Sequence, residues 1–200
     1  MNKKHAFETL AIHAGQEADA CTGAVTVPVY QTATYKQDAL GKMRGGWEYS
    51  RTGNPTRAAL ETAIAALEGG DFGLAFSSGL AAETAVLSTL KPGDHVVACN
   101  DLYGGTYRLF EQVLRKWGVD ITYAPCHNAG GLCDALRPNT RLIWLETPTN
   151  PLLNVADIRA AAELARKRRI RLVVDNTFAS PYFQNRHKGQ KVLKNQAFFR

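Results

Sequence analysis

No apolar run in this 200-residue chain approaches the roughly 18 residues that a membrane-crossing helix needs. Met1-Asn2-Lys3-Lys4-His5 leads into an amphipathic stretch and not into a signal-peptide core, so neither a membrane span nor secretion is expected. The four cysteines, Cys21, Cys99, Cys126 and Cys133, show no CxxC spacing. That pattern fits reduced thiols in a cytoplasmic protein better than a disulfide framework. Cys126-His127 with Cys133 lacks a fourth ligand and is flanked by Gly130-Gly131, so no metal site is expected. The GxGxxG fingerprint is missing, which weakens a nicotinamide reading. Acidic residues are absent from 185–200, where Arg186, Lys188, Lys191, Lys194 and Arg200 supply all but one of the net charge of +6. That tail has no repeat, arginine cluster or aromatic–glycine pattern, so nucleic-acid binding is not expected either.

At 45% hydrophobic and 21% charged residues, the chain can build one sizeable core. Residues 1–53 hold many turn formers and little periodicity, and read as an N-terminal arm with a short helix near 7–14. From Asn54 the pattern becomes regular. Asn54 suits an N-cap, Pro55 a first helical position, and Leu60, Ile64 and Leu67 share one face, before Gly69-Gly70 stops the helix. Strands are expected at 73–76, 95–99, 120–124, 141–145 and 171–174, with helices at 79–90, 105–117 and 155–167. Such alternation implies parallel pairing. Residues 185–200 offer neither a strand run nor an amphipathic helix, and read as a basic, aberrant tail after residue 184.

The run Leu172-Val173-Val174 reads as a central strand buried on both faces, and it delivers Asp175-Asn176-Thr177 to the carboxyl end of the sheet. Open α/β sheets bind ligands at that edge. A carboxylate there is costly unless it meets a cation or a protonated nitrogen. Ser77-Ser78-Gly79-Leu80 joins a strand to a helix N-terminus, which makes an anion site as readily as an ordinary cap. Tyr103 stands on the loop Asp101-Leu102-Tyr103-Gly104-Gly105, where a ring could stack on a flat heterocycle or simply pack. Glu146-Thr147-Pro148-Thr149-Asn150-Pro151 places a carboxylate and an amide at the same rim. Arg51, beside Tyr49 in the arm, could clamp a phosphate or remain a solvated surface cation.

Jointly these segments resemble the trans-sulfuration family of pyridoxal-phosphate enzymes. The family comprises cystathionine gamma-synthase, the cystathionine lyases, methionine gamma-lyase and O-acetylhomoserine sulfhydrylase. The resemblance is carried by His13-Ala14-Gly15, Val27-Pro28-Val29-Tyr30-Gln31-Thr32, Tyr49-Ser50-Arg51-Thr52-Gly53-Asn54-Pro55-Thr56, Leu67-Glu68-Gly69-Gly70 and Phe76-Ser77-Ser78-Gly79-Leu80-Ala81-Ala82. Tyr103-Gly104-Gly105-Thr106, Glu146-Thr147-Pro148-Thr149-Asn150-Pro151 and Val174-Asp175-Asn176-Thr177-Phe178 extend it across residues 7–184. The resemblance implies a three-layer, parallel-sheet α/β fold, the type I aminotransferase-like large domain, here incomplete. It makes residues 1–53 an inter-subunit arm and 54–184 a partial cofactor-binding domain. Ser78, Gly79 and Leu80 match the phosphate-cradling turn, and Tyr103 matches a ring-stacking tyrosine that assists proton transfer. Asn150 matches a residue near the ring hydroxyl, and Asp175 matches the partner of the pyridinium nitrogen. Tyr49 and Arg51 match residues reaching the phosphate in a neighbouring subunit, which implies a homo-oligomer.

The resemblance also implies gamma-replacement or C–S elimination on an amino-acid substrate such as cystathionine, an O-acylhomoserine or cysteine. One departure stands against activity of this chain. The family's Ser-x-Thr-Lys motif, which supplies the Schiff-base lysine, would fall near position 200, where this chain has Ala197-Phe198-Phe199-Arg200. Arginine stays protonated and cannot form the imine. A frameshift or truncation after about Gln184 accounts for the departure. The competing reading is a non-catalytic remnant with a vestigial cofactor site.

Overall fold

A computed structural model of the chain describes residues 5–127, 129–184 and 196–199. It divides into two compact units, Met1–Ala75 and Phe76–Arg200.

In the first unit, helix α1 (Phe7–His13) packs on α2 (Pro55–Glu68), and a small antiparallel hairpin pairs β1 (Gln37–Ala39) with β2 (Lys42–Met43). The expected start of α2 is observed. The Asn54 side chain accepts from the Thr56 and Arg57 amides, Pro55 opens the helix, and Gly69 closes it in the left-handed conformation. Gly15 brings α1 and α2 together, because a Cβ there would lie 2.6 Å from the Ala59 carbonyl oxygen. The Arg57 guanidinium donates to the carbonyls of Ser50, Arg51 and Thr52, which fixes the turn that carries Tyr49 and Arg51.

The second unit is built on a parallel sheet of order β4-β3-β5-β6-β7. Its strands are β3 (His95–Cys99), β4 (Asp120–Ala124), β5 (Thr140–Glu146), β6 (Arg171–Asp175) and β7 (Gln196–Phe199). Helix α3 (Gly79–Leu87) precedes β3, and α4 (Gly104–Leu109), α5 (Ala129–Asp134) and α6 (Ile158–Arg168) lie between successive strands in sequence. Every side chain of β3 is buried, as a parallel strand covered on both faces requires. Trp144 on β5 is fully buried and meets Phe110 edge-on, with centroids 5.5 Å apart.

Four expectations need correction. The segment 73–76 forms no strand, because nothing among the described residues completes a ladder with it. The helix expected over 79–90 ends at Leu87, since the Ser88 and Thr89 hydroxyls turn back onto the Ala85 and Val86 carbonyls. The helix expected over 105–117 widens at Phe110–Leu114, tightens at Arg115–Trp117 and closes on left-handed Gly118. Finally, Gln196–Phe199 does form a strand, parallel to β6 with Leu172 opposite Gln196 and Asp175 opposite Phe199. The unpaired edge of β6 offers a backbone ladder that needs no side-chain periodicity. The rest of the tail, 185–195 and 200, lies outside the described residues.

Candidate cofactor site at the carboxyl edge of the sheet

Parallel strands place the loops after β3, β5 and β6 at one end of the second unit. Register sets Glu146, the last residue of β5, opposite Asp175, the last of β6. The Thr147 amide donates to the Asp175 carbonyl at 2.9 Å and carries the pairing one residue further.

Glu146 organises this rim. One of its oxygens accepts the Tyr103 amide at 2.7 Å and the other accepts the Asn150 amide, also at 2.7 Å. A single carboxylate therefore holds the loop after β3 and the loop after β5. Asp101 ties the same loops a second time, accepting from the Thr149 hydroxyl and from Asn154. Burial pushes the Glu146 carboxyl up to about 7, against the opposing pull of its two amide donors.

Asp175 is 5% exposed. Its Oδ1 accepts the Thr177 amide at 3.1 Å and the Thr177 hydroxyl at 2.6 Å, while Oδ2 accepts nothing among the described residues. Tyr103 precedes α4 and leaves 43% of its surface open. Its ring lies back over the first turn of that helix, so a Cβ on Gly105 would fall 2.3 Å from the ring. We expect Gly105→Ala to displace the Tyr103 ring from its place over the first turn of α4, leaving the rest of the unit in place. A change in the fluorescence or near-ultraviolet dichroism of Tyr103 checks this; an unaltered spectrum counts against the stated packing.

Ser78 caps α3, its hydroxyl accepting from the Ala81 amide at 3.2 Å. The first-turn amides of Gly79 and Leu80 have no helical acceptor, and a Cβ built on Gly79 meets nothing within 4 Å. The helix thus opens on space with donors and a positive dipole end. It is tied to α4 one turn further on, where the Thr106 hydroxyl donates to Glu83 at 3.0 Å.

Of the residues singled out in the sequence, Ser78, Gly79, Leu80, Tyr103, Asn150 and Asp175 all belong to the second unit. Tyr103 and Asn150 share Glu146, and Glu146 stands opposite Asp175. Tyr49 and Arg51 belong to the first unit, where the Arg51 guanidinium lies 4.9 Å from the centre of the Tyr49 ring. Sequence reasoning placed Glu146 at the rim without its clamping role. It missed Glu83 altogether, although a lone glutamate inside the apolar stretch Leu80-Ala81-Ala82-Glu83-Thr84-Ala85-Val86-Leu87 was a visible signal.

A parallel α/β unit with a helix start of free amides, a partly exposed ring and a buried carboxylate at a strand end offers donors for an anion, a flat surface and an acceptor for a protonated nitrogen. The comparisons with known proteins narrow this further. The model of the Cys/Met metabolism PLP-dependent enzyme family matches residues 8–188, and the chain belongs to that family. It is 55% identical over 177 residues to cystathionine gamma-synthase of Mycobacterium tuberculosis, covering 88% of this chain and 46% of that one. It is 51% identical over 177 residues to cystathionine gamma-lyase of Bacillus subtilis, with the same two coverages. The crystal structure of MetB from Corynebacterium glutamicum superposes with a TM-score of 0.87 at 50% identity, over 89% of this chain and 46% of that one. The chain thus spans about half the length of the relatives it matches.

Proposed function

We propose that the second unit holds pyridoxal 5′-phosphate, and that the protein acts in sulfur amino-acid metabolism by gamma-replacement or C–S elimination. The observation that carries this reading is the assembly, in one unit, of a helix start rich in free amides, an exposed aromatic ring and a buried carboxylate with one open oxygen. These residues fit the cofactor. Gly79 and Leu80 amides, with Ser78, would take the phosphate. Tyr103 would lie against the ring, and Asn150 would approach its hydroxyl. Asp175 would hold a proton on the ring nitrogen, an arrangement that favours the charged form of both partners. When bound, the protonated ring supplies an electron sink for a carbanion at the substrate's alpha carbon. Tyr103 would move a proton beside it. Tyr49 and Arg51 would serve the phosphate of a neighbouring subunit in a homo-oligomer. Substrates of this reading are amino acids such as cystathionine, an O-acylhomoserine or cysteine, in the cytoplasm. O-acetylhomoserine sulfhydrylase and methionine gamma-lyase chemistry belongs to the same reading.

The chain as it stands should not turn over such substrates. Among the described residues of the second unit the lysines are Lys91, Lys116 and Lys167. Lys91 and Lys116 precede β3 and β4, and Lys167 is in the last turn of α6 before β6, so none is on a loop at the carboxyl rim. An imine-forming amine must be held desolvated at the reacting carbon. Assayed with pyridoxal phosphate and either cystathionine or O-succinylhomoserine, the chain is expected to match the cofactor alone. Turnover tenfold above that background would overturn this part of the reading.

A further inference from the structure

Glu83, Glu146 and Asp175 are only 3%, 4% and 5% exposed. They come from α3, β5 and β6, and the charged groups acting on Glu83 are the other two acids. Elsewhere around it, α4 contributes the neutral Thr106 while its Tyr107 and Arg108 are exposed. Strand β7, which packs against α3, carries no ionisable residue over Gln196–Phe199. Three carboxylates in such a place cannot all be charged.

Their hydrogen bonds say which one gives way. Glu146 accepts an amide on each oxygen, and Asp175 accepts an amide and a hydroxyl. Those donors favour the anion. Glu83 accepts only the Thr106 hydroxyl, and its buried Oε2 has no partner among the described residues. An acceptor left bare in the interior is the cheapest place for a proton.

We propose that Glu83 carries a proton while Asp175 is free, and releases it when a protonated ring nitrogen docks on Asp175. This rests on the reading of Asp175 given above. The arriving positive charge compensates the new carboxylate, and the proton leaves to solvent. Glu83 is then a positioning residue that couples cofactor seating to pH. Burial, reinforced by Asp175 and Glu146, pushes its carboxyl up to about 7, so the exchange falls in the working range.

The sign of the effect without ligand follows directly. Folded Glu83 binds its proton up to about 7, whereas an unfolded glutamate releases it near 4.5. Its contribution is full below 4.5 and is lost as the pH rises through 7. Urea unfolding of the wild-type chain and of Glu83→Gln should therefore agree best near pH 5 and separate towards pH 8, with wild type losing stability that the neutral glutamine keeps. The ratio of their folding constants should shift by up to about tenfold per pH unit inside that window. Parallel curves would overturn the proposal whatever the ligand does.

The ligand arm uses pyridoxine 5′-phosphate, which has the ring nitrogen and the phosphate but no aldehyde. Calorimetric titration at pH 7, in two buffers of different protonation enthalpy, counts the protons released. Wild type should release protons that Glu83→Gln does not. The affinity of wild type relative to the variant should rise several-fold between pH 6 and pH 8. Equal proton counts with binding intact would overturn the coupling alone. Absence of binding to either chain would overturn the cofactor reading and the coupling with it. Glu83→Met, apolar and similar in volume, replaces the glutamine variant if that chain does not fold.

Discussion

Glu146→Ala should lower the stability of the second unit by about 2–3 kcal/mol near pH 6 and free two loops at once. The Tyr103 and Asn150 amides would lose their common acceptor, and each sits at 2.7 Å from it now. A second tie through Asp101, Thr149 and Asn154 keeps the loops from detaching fully. Glu146→Gln retains one acceptor without the charge and should cost less. Urea denaturation gives the energies. Amide exchange should accelerate at Tyr103 and Asn150, and unchanged protection at both would refute the clamp.

Asp175→Ala should weaken binding of pyridoxine 5′-phosphate by roughly tenfold to a hundredfold, the worth of a charge-assisted hydrogen bond in a buried setting. Two effects contribute. The variant removes the negative partner for a ring nitrogen, and it releases Thr177, whose amide and hydroxyl both bond Oδ1. Asp175→Asn separates them, since its amide oxygen can still accept from Thr177 but offers no charge. If Asp175→Asn binds as tightly as wild type, the pyridinium role is wrong even where Asp175→Ala binds poorly. Equilibrium dialysis against the ligand suffices for both chains.

The sequence disclosed most of the sheet and less of what lies between its strands. Apolar runs such as Leu172-Val173-Val174 announce buried parallel strands, and the Asn54-Pro55 pair announces α2, because both signals are local. Failures came where distant partners decide. Residues 73–76 look like a strand but find no neighbour, whereas Gln196–Phe199 lack the pattern yet pair with an available edge. Tyr103, Asn150 and Asp175 were legible as positions just after strands, and Ser78 as a helix start. What joins them was not, because Glu146 and Glu83 act across 43 and 23 residues of sequence, to Tyr103 and Thr106.

We propose that the α3 start and the loops after β3, β5 and β6 together take a phosphorylated pyridine ring. Nitrogen-15 chemical-shift mapping of the labelled chain with pyridoxine 5′-phosphate tests it most directly. The amides of Gly79, Leu80, Tyr103 and Thr177 should shift together and saturate at one ligand concentration, with inorganic phosphate moving only Gly79 and Leu80. Shifts confined to the basic residues 185–200, or a response at the α3 start with none at Tyr103 and Thr177, would contradict it.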